Sequence, residues 1–212
     1  MTAATLEQLR SRFSGTALAL APERAAAPFR WTRAALAGRF TELSVREAST
    51  ALTWAFDLVW DAQREGEPAA WIGDRESAFY PPDVADNGVD VEALAVVRVA
   101  EKRDIPRAAE RLARSGAFGL IVLDLGSRAV IPAPLQGRLV QQARRHDIAI
   151  LCLTEKAGRA SSLGSLISLR VEAGRRRNGG EGFTCALAVS KDKRHGPGWN
   201  HQEVRHGPPG LR

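Results

Sequence analysis

The stretch from Val45 to Leu52 lies between an extended apolar run and a helical pattern, where a nucleotide-binding chain would place its phosphate-binding loop. Such a loop has the form G-x-x-x-x-G-K-S/T: its glycines let backbone N–H groups surround the phosphates, its lysine neutralises them and its hydroxyl binds Mg²⁺. Here the glycine positions hold Val45 and Thr50, the lysine position Ala51 and the hydroxyl position Leu52. Because the countercharge and the metal ligand are missing, the sequence predicts no cofactor, no nucleotide hydrolysis and no enzymatic activity.

Positive charge is concentrated toward the end of the chain. Residues 170–212 contain nine Lys or Arg residues against four Asp or Glu residues, within a net charge of +6. The basic residues that could contact DNA or an acidic partner are Arg175, Arg176, Arg177, Lys191, Lys193 and Arg194. Because no aromatic residue is interleaved with the three arginines to stack on bases, we expect only sequence-independent, salt-sensitive phosphate contacts from them. Solvated surface charge is the alternative.

Cysteines and histidines offer little further chemistry. Cys152 and Cys185 lie in separate apolar runs, where a free thiol packs as a small hydrophobic group. His201 and His206 have no cysteine or acidic companions at the spacing of a metal site. The sequence therefore predicts no metal site.

Apolar residues near both ends are candidates for docking a partner protein. These candidates are Leu6, Leu9 and Phe13, on one face of a short helix, and Trp199. Trp31 and Trp199 lie in terminal attachments, and folding back onto the protein's own surface is the alternative for both. The other three tryptophans, Trp54, Trp60 and Trp71, are expected in the core.

Strand and helix patterns alternate between these residues. The expected strands are Arg39–Ser44, Ala69–Ile72, Leu94–Val99, Phe118–Leu125, Ile148–Leu153, Leu166–Val171 and Phe183–Val189, and the expected helices begin near Ala48, Pro106 and Pro134. A glycine-rich turn carrying the three arginines is expected to join the last two strands. This order predicts an α/β fold, with a mostly parallel sheet flanked by helices and an antiparallel hairpin at the C-terminal end.

The expected organisation is one core with two attachments. Residues 1–33 are expected to form a helix and linker, residues 34–195 the core, and residues 196–212, rich in Gly and Pro, a flexible tail without regular structure. No run approaches the roughly 20 apolar residues that crossing a bilayer requires. We therefore expect a soluble, cytoplasmic protein with no membrane contact.

Five short segments resemble RecA and follow one another in RecA's order. They are Gly38–Leu43, Ala62–Gly66, Ala113–Gly116, Leu123–Asp124 and Lys191–Lys193. The resemblance extends over about residues 35–195, and the ordered combination of the segments is more specific than any one of them. The short chain, its degenerate loop and its basic end also resemble ImuA, the RecA-like (or SulA-like) subunit of the mutasome that ImuA forms with ImuB and a DnaE-type polymerase.

The resemblance implies roles for single residues. Asp124 matches the aspartate that positions Mg²⁺ beside the nucleotide, and local pairing at the strand end is the alternative. Lys191 and Lys193 match paired lysines that reach the ATP of a neighbouring subunit. With no ATP to reach, they are left with the phosphates of DNA or the acidic groups of a partner. Residues 154–164 correspond to a DNA-binding loop and are short here.

The implied function is that of a non-catalytic accessory protein in damage-induced mutagenesis and translesion DNA synthesis. Its expected partners are an ImuB-like Y-family polymerase homologue and RecA, whose filament it would modulate or inhibit. DNA would be bound through the basic C-terminal region. A salt-sensitive DNA-binding module and a SulA-like cell-division inhibitor are the alternatives.

Overall fold

A computed structural model describes residues 29–45, 50–77, 79–81, 84, 88–127, 129–156, 160–178, 182–196 and 198–206. Its strands are β1 (Phe40–Val45), β2 (Ala69–Gly73), β3 (Leu94–Arg98), β4 (Leu120–Gly126), β5 (Ala149–Thr154), β6 (Leu169–Asn178), β7 (Gly182–Asp192) and β8 (Asn200–His206). Its helices are α1 (Arg33–Leu36), α2 (Ala51–Arg64), α3 (Ile105–Ser115) and α4 (Ala133–His146), with a 3₁₀ turn at Lys102–Asp104. No helix in these ranges is long and apolar enough to span a bilayer.

The eight strands form one sheet in the order β3-β2-β4-β5-β1-β6-β7-β8. The six neighbouring strands β3, β2, β4, β5, β1 and β6 are parallel to one another, whereas β7 pairs antiparallel with β6 and with β8. In the centre, Phe40 of β1 lies opposite Ile150 of β5, and Thr41 lies opposite Leu169 of β6. The predicted fold class, a mostly parallel sheet with helices and an antiparallel C-terminal end, is confirmed.

Helices cover the parallel strands on both faces. Helix α2 buries Trp54, Phe56 and Leu58 against one face, and α3 and α4 bury Ile105 and Leu139 against the other. Strands β4 and β5 are therefore buried on both sides, which explains their continuous apolar sequences. The first turns of α3 and α4 contain the prolines that predicted their starts.

The C-terminal end departs from the expectations. Residues 196–212 were expected to lack regular structure, but Asn200–His206 forms β8 along β7. The strand is stabilised by α2, because Arg205 lies over the Trp54 ring at 5.1 Å and bonds to Asp57. The predicted hairpin turn also proves shorter, since β6 continues through Arg177 to Asn178.

The tryptophans and cysteines that were expected in the core are buried with one exception. Trp54 and Trp71 are buried as expected, but Trp60 is 40% exposed, so its assignment to the core was wrong. It lies on the outer side of α2, with the Arg64 guanidinium 4.7 Å from its ring. Leu6, Leu9 and Phe13 lie outside the described residues. Cys152 and Cys185 are buried free thiols, as predicted.

Candidate functional site

The residues that flank the candidate nucleotide loop are engaged in packing. Residues 46–49 lie outside the described part of the chain, but Val45 ends β1 and Ala51 begins α2. Thr50 Oγ1 donates a hydrogen bond to the Gly174 carbonyl at 3.3 Å. Ala51 is 4% exposed, and Leu52 packs against the core on the α2 face. The side chains at the second glycine, lysine and hydroxyl positions thus contact the protein's own interior.

Acidic residues at the ends of β2 and β4 make local contacts. Asp124 is largely buried, and its Oδ2 accepts a hydrogen bond from Ser77 Oγ at 2.6 Å. Asp74 Oδ1 accepts from the backbone N–H of Glu76, whose carboxylate pairs with Lys102 at 2.9 Å. Asp124 therefore has the local pairing that was the alternative to metal positioning. Among the described residues, no group of three His, Cys, Asp or Glu side chains could hold a metal ion.

A buried carboxylate that sequence analysis missed lies in the middle of β1. Glu42 is fully buried and accepts hydrogen bonds from Ser162 Oγ at 2.8 Å, Leu163 N–H at 3.0 Å and Thr154 Oγ1 at 3.3 Å. These donors hold residues 162–163 against the sheet. The only signal in the sequence is an acidic residue between the apolar Phe40 and Leu43.

Two cations complete this cluster around Glu42. Lys156 Nζ lies 3.8 Å and Arg170 Nε 3.9 Å from its carboxylate oxygens. Arg170 Nη1 also donates to the Ala160 carbonyl at 2.6 Å, whereas its Nε and Nη2 have no hydrogen-bond partner. The resemblance to RecA implies a DNA-binding loop at 154–164, and the described part of this segment makes several hydrogen bonds with the protein itself.

Positive charge accumulates beside the Glu42 cluster. Lys193 Nζ and Lys191 Nζ both donate to the Ser165 carbonyl, at 2.6 and 3.4 Å. Arg170 lies opposite Lys191 in the β6–β7 ladder. Burial lowers the pKa of Lys191, the Lys193 and Arg170 cations lower it further, and the Glu42 carboxylate opposes this lowering only in part. These three side chains, Arg170, Lys191 and Lys193, form a basic cluster whose charges repel one another.

The three consecutive arginines do not form one patch. They lie in β6, opposite Cys185, Thr184 and Phe183 of β7, rather than on a flexible turn. Because side chains alternate between the faces of a strand, Arg176 points away from Arg175 and Arg177. Arg175 stacks on the Phe183 ring at 5.2 Å. The expectation of a single cationic hairpin tip was therefore wrong.

Comparison with known proteins gives the family. The model of the RecA N-terminal domain matches residues 33–160, a range that includes β1 to β5 and the degenerate loop. This chain belongs to the RecA N-terminal domain family. That family is related to DNA repair.

Individual RecA proteins align with part of this chain. RecA of Chlorobaculum tepidum is 34% identical over 131 residues, or 59% of this chain and 38% of that protein. RecA of Clostridium acetobutylicum is 32% identical over 143 residues, or 65% of this chain and 41% of that protein. The chain thus matches about two fifths of the length of these relatives.

A solved structure shows the same fold at low identity. A KaiC-like protein from Pyrococcus horikoshii superposes with a TM-score of 0.55 and 15% identity, covering 81% of this chain and 90% of that one. At this identity the likeness concerns the fold alone. It includes most of the RecA-like core described above.

Arg194 and Trp199, two of the predicted partner-contact residues, lie beside Asp192. Asp192 accepts hydrogen bonds from Arg39 Nη2 at 2.6 Å, the Arg194 N–H at 2.8 Å and Trp199 Nε1 at 3.0 Å. Burial would raise the pKa of Asp192, but hydrogen bonds from Arg194, Arg39 and Trp199 lower it to about 2. Asp192 therefore stays ionised and joins β7 to Arg39, the residue before β1, and to the segment before β8.

Both terminal tryptophans fold back onto the RecA-like core. Trp199 stacks on Phe29 with ring centroids 4.0 Å apart, and Trp31 Nε1 donates to the Trp54 carbonyl at 2.8 Å. The Arg194 guanidinium bonds to the Ala37 carbonyl at 3.1 Å. The structure thus gives Trp199 and Arg194 intramolecular contacts at the positions where sequence analysis proposed partner contacts.

Proposed function

We propose that this RecA-family chain lacks ATPase activity and acts as an accessory protein in damage-induced mutagenesis and translesion DNA synthesis. In this proposal it binds an ImuB-like Y-family polymerase homologue and RecA, and it modulates the RecA filament. The absence of lysine and hydroxyl groups at Ala51 and Leu52 supports a non-catalytic role. The retained RecA-like core supports a role among proteins of the same fold.

The proposal rests mainly on the intramolecular contacts of residues 50–52, which stand where a phosphate-binding loop would end. The Thr50 hydroxyl donates a hydrogen bond to the Gly174 carbonyl, and Ala51 is buried in the hydrophobic core. A polyphosphate bound here would need a countercharge and free backbone N–H groups around it. The side chains at positions 50–52 supply no charge to replace the missing lysine.

The outer edge of β3 supports binding of a protein partner. Among the described strands it is the last on this side of the sheet, and its exposed residues include Ala95 and Val96, with Val96 40% exposed. An apolar edge strand presents unpaired backbone groups to which another chain can add a strand. A lysine at position 96 would place a charge in the middle of that edge.

The test is the effect of the purified chain on RecA bound to single-stranded DNA. We expect added wild-type protein to slow filament assembly and to lower RecA ATPase activity, and we expect Val96→Lys to weaken both effects at least tenfold in concentration. Val130→Lys is the matched control, because Val130 is an exposed residue in the segment between β4 and α4. Unchanged filament assembly and ATPase activity with wild-type protein would contradict the RecA part of the proposal.

A second candidate, sequence-independent DNA binding, is favoured by the basic cluster. The lowered pKa of Lys191 reflects burial and incompletely neutralised positive charge around it, which an anionic backbone would relieve. This candidate predicts binding that weakens steeply with salt for any DNA sequence. Fluorescence anisotropy with two unrelated oligonucleotides at several salt concentrations separates it from partner binding, since polymerase or RecA association needs no DNA.

A further inference from the structure

Strand β8 lies at one end of the sheet. It is the last strand in the order, and no strand in the described part of the chain pairs with its outer side. Every second residue of an edge strand directs its N–H and C=O away from the sheet, where another strand can bond to them. In its centre Val204 is 64% exposed, an unusual position for a large apolar residue.

The opposite face of β8 is fixed to the core, so the edge is held in an extended shape. Arg205 donates to both carboxylate oxygens of Asp57, at 3.0 and 2.5 Å, and its third contact is Glu203 at 2.7 Å. His201 lies 3.0 Å from Glu203 and packs edge-on against Trp54. An edge that is already ordered loses less conformational entropy when a second strand adds to it.

We propose that β8 pairs antiparallel with β8 of a second copy of this chain, around a twofold axis at Val204. Residues opposite each other in an antiparallel pair share a face, so a symmetric pair must have its axis at a residue. With the axis at Val204, the two Val204 side chains meet. Glu203 then lies opposite Arg205 of the second copy, which joins charges of opposite sign on the α2 face.

The other symmetric registers are less favourable. An axis at Glu203 would place the two Glu203 carboxylates opposite each other and His201 opposite the Arg205 guanidinium of the second copy. An axis at Arg205 would oppose two guanidinium groups. An axis at Gln202 would pair His201 with Glu203 but would place the exposed Val204 opposite the polar Asn200. The register centred on Val204 is the one that joins opposite full charges and also covers the apolar side chain.

The first test is the oligomeric state of the full chain by sedimentation velocity over a concentration series. We expect wild type to move from the 22.9 kDa monomer toward twice that mass as concentration rises. Val204→Lys opposes two ammonium groups at the axis and is expected to remain monomeric. Val96→Lys, the matched charge on the edge strand at the other end of the sheet, is expected to dimerise like wild type. A wild-type chain that stays monomeric at millimolar concentration would overturn the proposal, as would dimerisation of Val204→Lys.

A cysteine at the axis tests the register directly. Val204→Cys places two thiols opposite each other, within disulfide reach, so we expect a cross-linked dimer on mild oxidation. Gln202→Cys would lie opposite position 206, about 13 Å from its own counterpart, and we expect no cross-link. The native thiols, Cys152 and Cys185, are buried and should not compete. Cross-linking of Gln202→Cys but not Val204→Cys would refute this pairing, and circular dichroism would verify that both variants are folded.

This inference is independent of the proposed function. Loss of dimerisation in Val204→Lys leaves the β3 edge untouched, so its effect on RecA would be unchanged if both statements hold. The two edge variants therefore give separate results.

Discussion

Replacing Asp192 with alanine should destabilise the protein more than most single substitutions. Asp192 and Arg39 form an ion pair at 2.6 Å in which both side chains are fully buried. Burial lowers the pKa of Arg39 and its hydrogen bond to Asp192 raises it, so the carboxylate offsets part of the cost of burying the guanidinium. Arg39 Nε and Nη1 already lack a hydrogen-bond partner. We therefore expect Asp192→Ala to lower the free energy of unfolding by about 3–5 kcal/mol, the cost of an uncompensated buried charge.

The lowered pKa of Asp192 also predicts the pH range over which the ion pair stabilises the protein. Its lowering from 3.8 to about 2 corresponds to about 2 kcal/mol of stabilisation in the ionised form. Because the native pKa lies below the unfolded one, this contribution is fully present above about pH 4. It is lost as the pH falls from there toward 2. Wild type should show this loss, and Asp192→Ala should not.

Urea denaturation at pH 7 and at several values between pH 2 and 4 measures both effects. Glu101→Ala is a control, because it removes a solvent-exposed ion pair with Arg103 and should change stability by less than about 1 kcal/mol. Adding Arg39→Met to Asp192→Ala should recover much of the stability, since the buried cation is removed. A change below about 1 kcal/mol for Asp192→Ala at pH 7, or no recovery in the double variant, would refute the reasoning.

Three further perturbations test other parts of the account. Glu42→Gln should cost about 3 kcal/mol and speed hydrogen exchange at Leu163, because Lys156 and Arg170 lose their counterion; unchanged exchange would contradict this. Arg205→Met should weaken hydrogen-exchange protection along β8 but not along β5. Equal protection of β8 in wild type and Arg205→Met would count against anchoring of β8 by Asp57. If the basic cluster binds DNA, replacing Lys191 and Lys193 with glutamine should reduce the salt slope by about 2, whereas Arg175→Gln should change it little.

The parallel core could be predicted because its strands are buried on both faces. Continuous apolar runs such as Leu120–Leu123 are typical of strands covered by helices on two sides. Pro106 and Pro134 marked the helix starts through a local steric preference that needs no tertiary information. The strand and helix order then left few possible topologies.

The antiparallel hairpin was predicted, but strand β8 and the full length of β6 were not, because distant contacts stabilise β8. Strand β8 is polar and lies between glycine- and proline-rich segments, and its partners Trp54 and Asp57 belong to a helix far away in the sequence. Gly174 suggested an early turn, but the ladder continues through the arginines. Local patterns carried no signal for either feature.

Part of the candidate site could be predicted from the sequence and part could not. The substitutions at Thr50, Ala51 and Leu52 could be found from sequence, because loop chemistry depends on residue type at fixed spacing. The Glu42 cluster could not, because its donors come from a segment that folds over the strand end. For Trp199, folding back onto the protein was an alternative from the sequence, but its stacking partner Phe29 could not be predicted.

Isothermal titration of the full chain with ATP and Mg²⁺ tests the central claim most directly, with a RecA protein titrated in parallel as the positive control. The lost lysine and the packed residues at 50–52 predict no saturable heat up to millimolar ATP, under conditions where RecA gives a binding isotherm. Saturable heat from this chain would contradict the account of a RecA-family protein that has lost its nucleotide site.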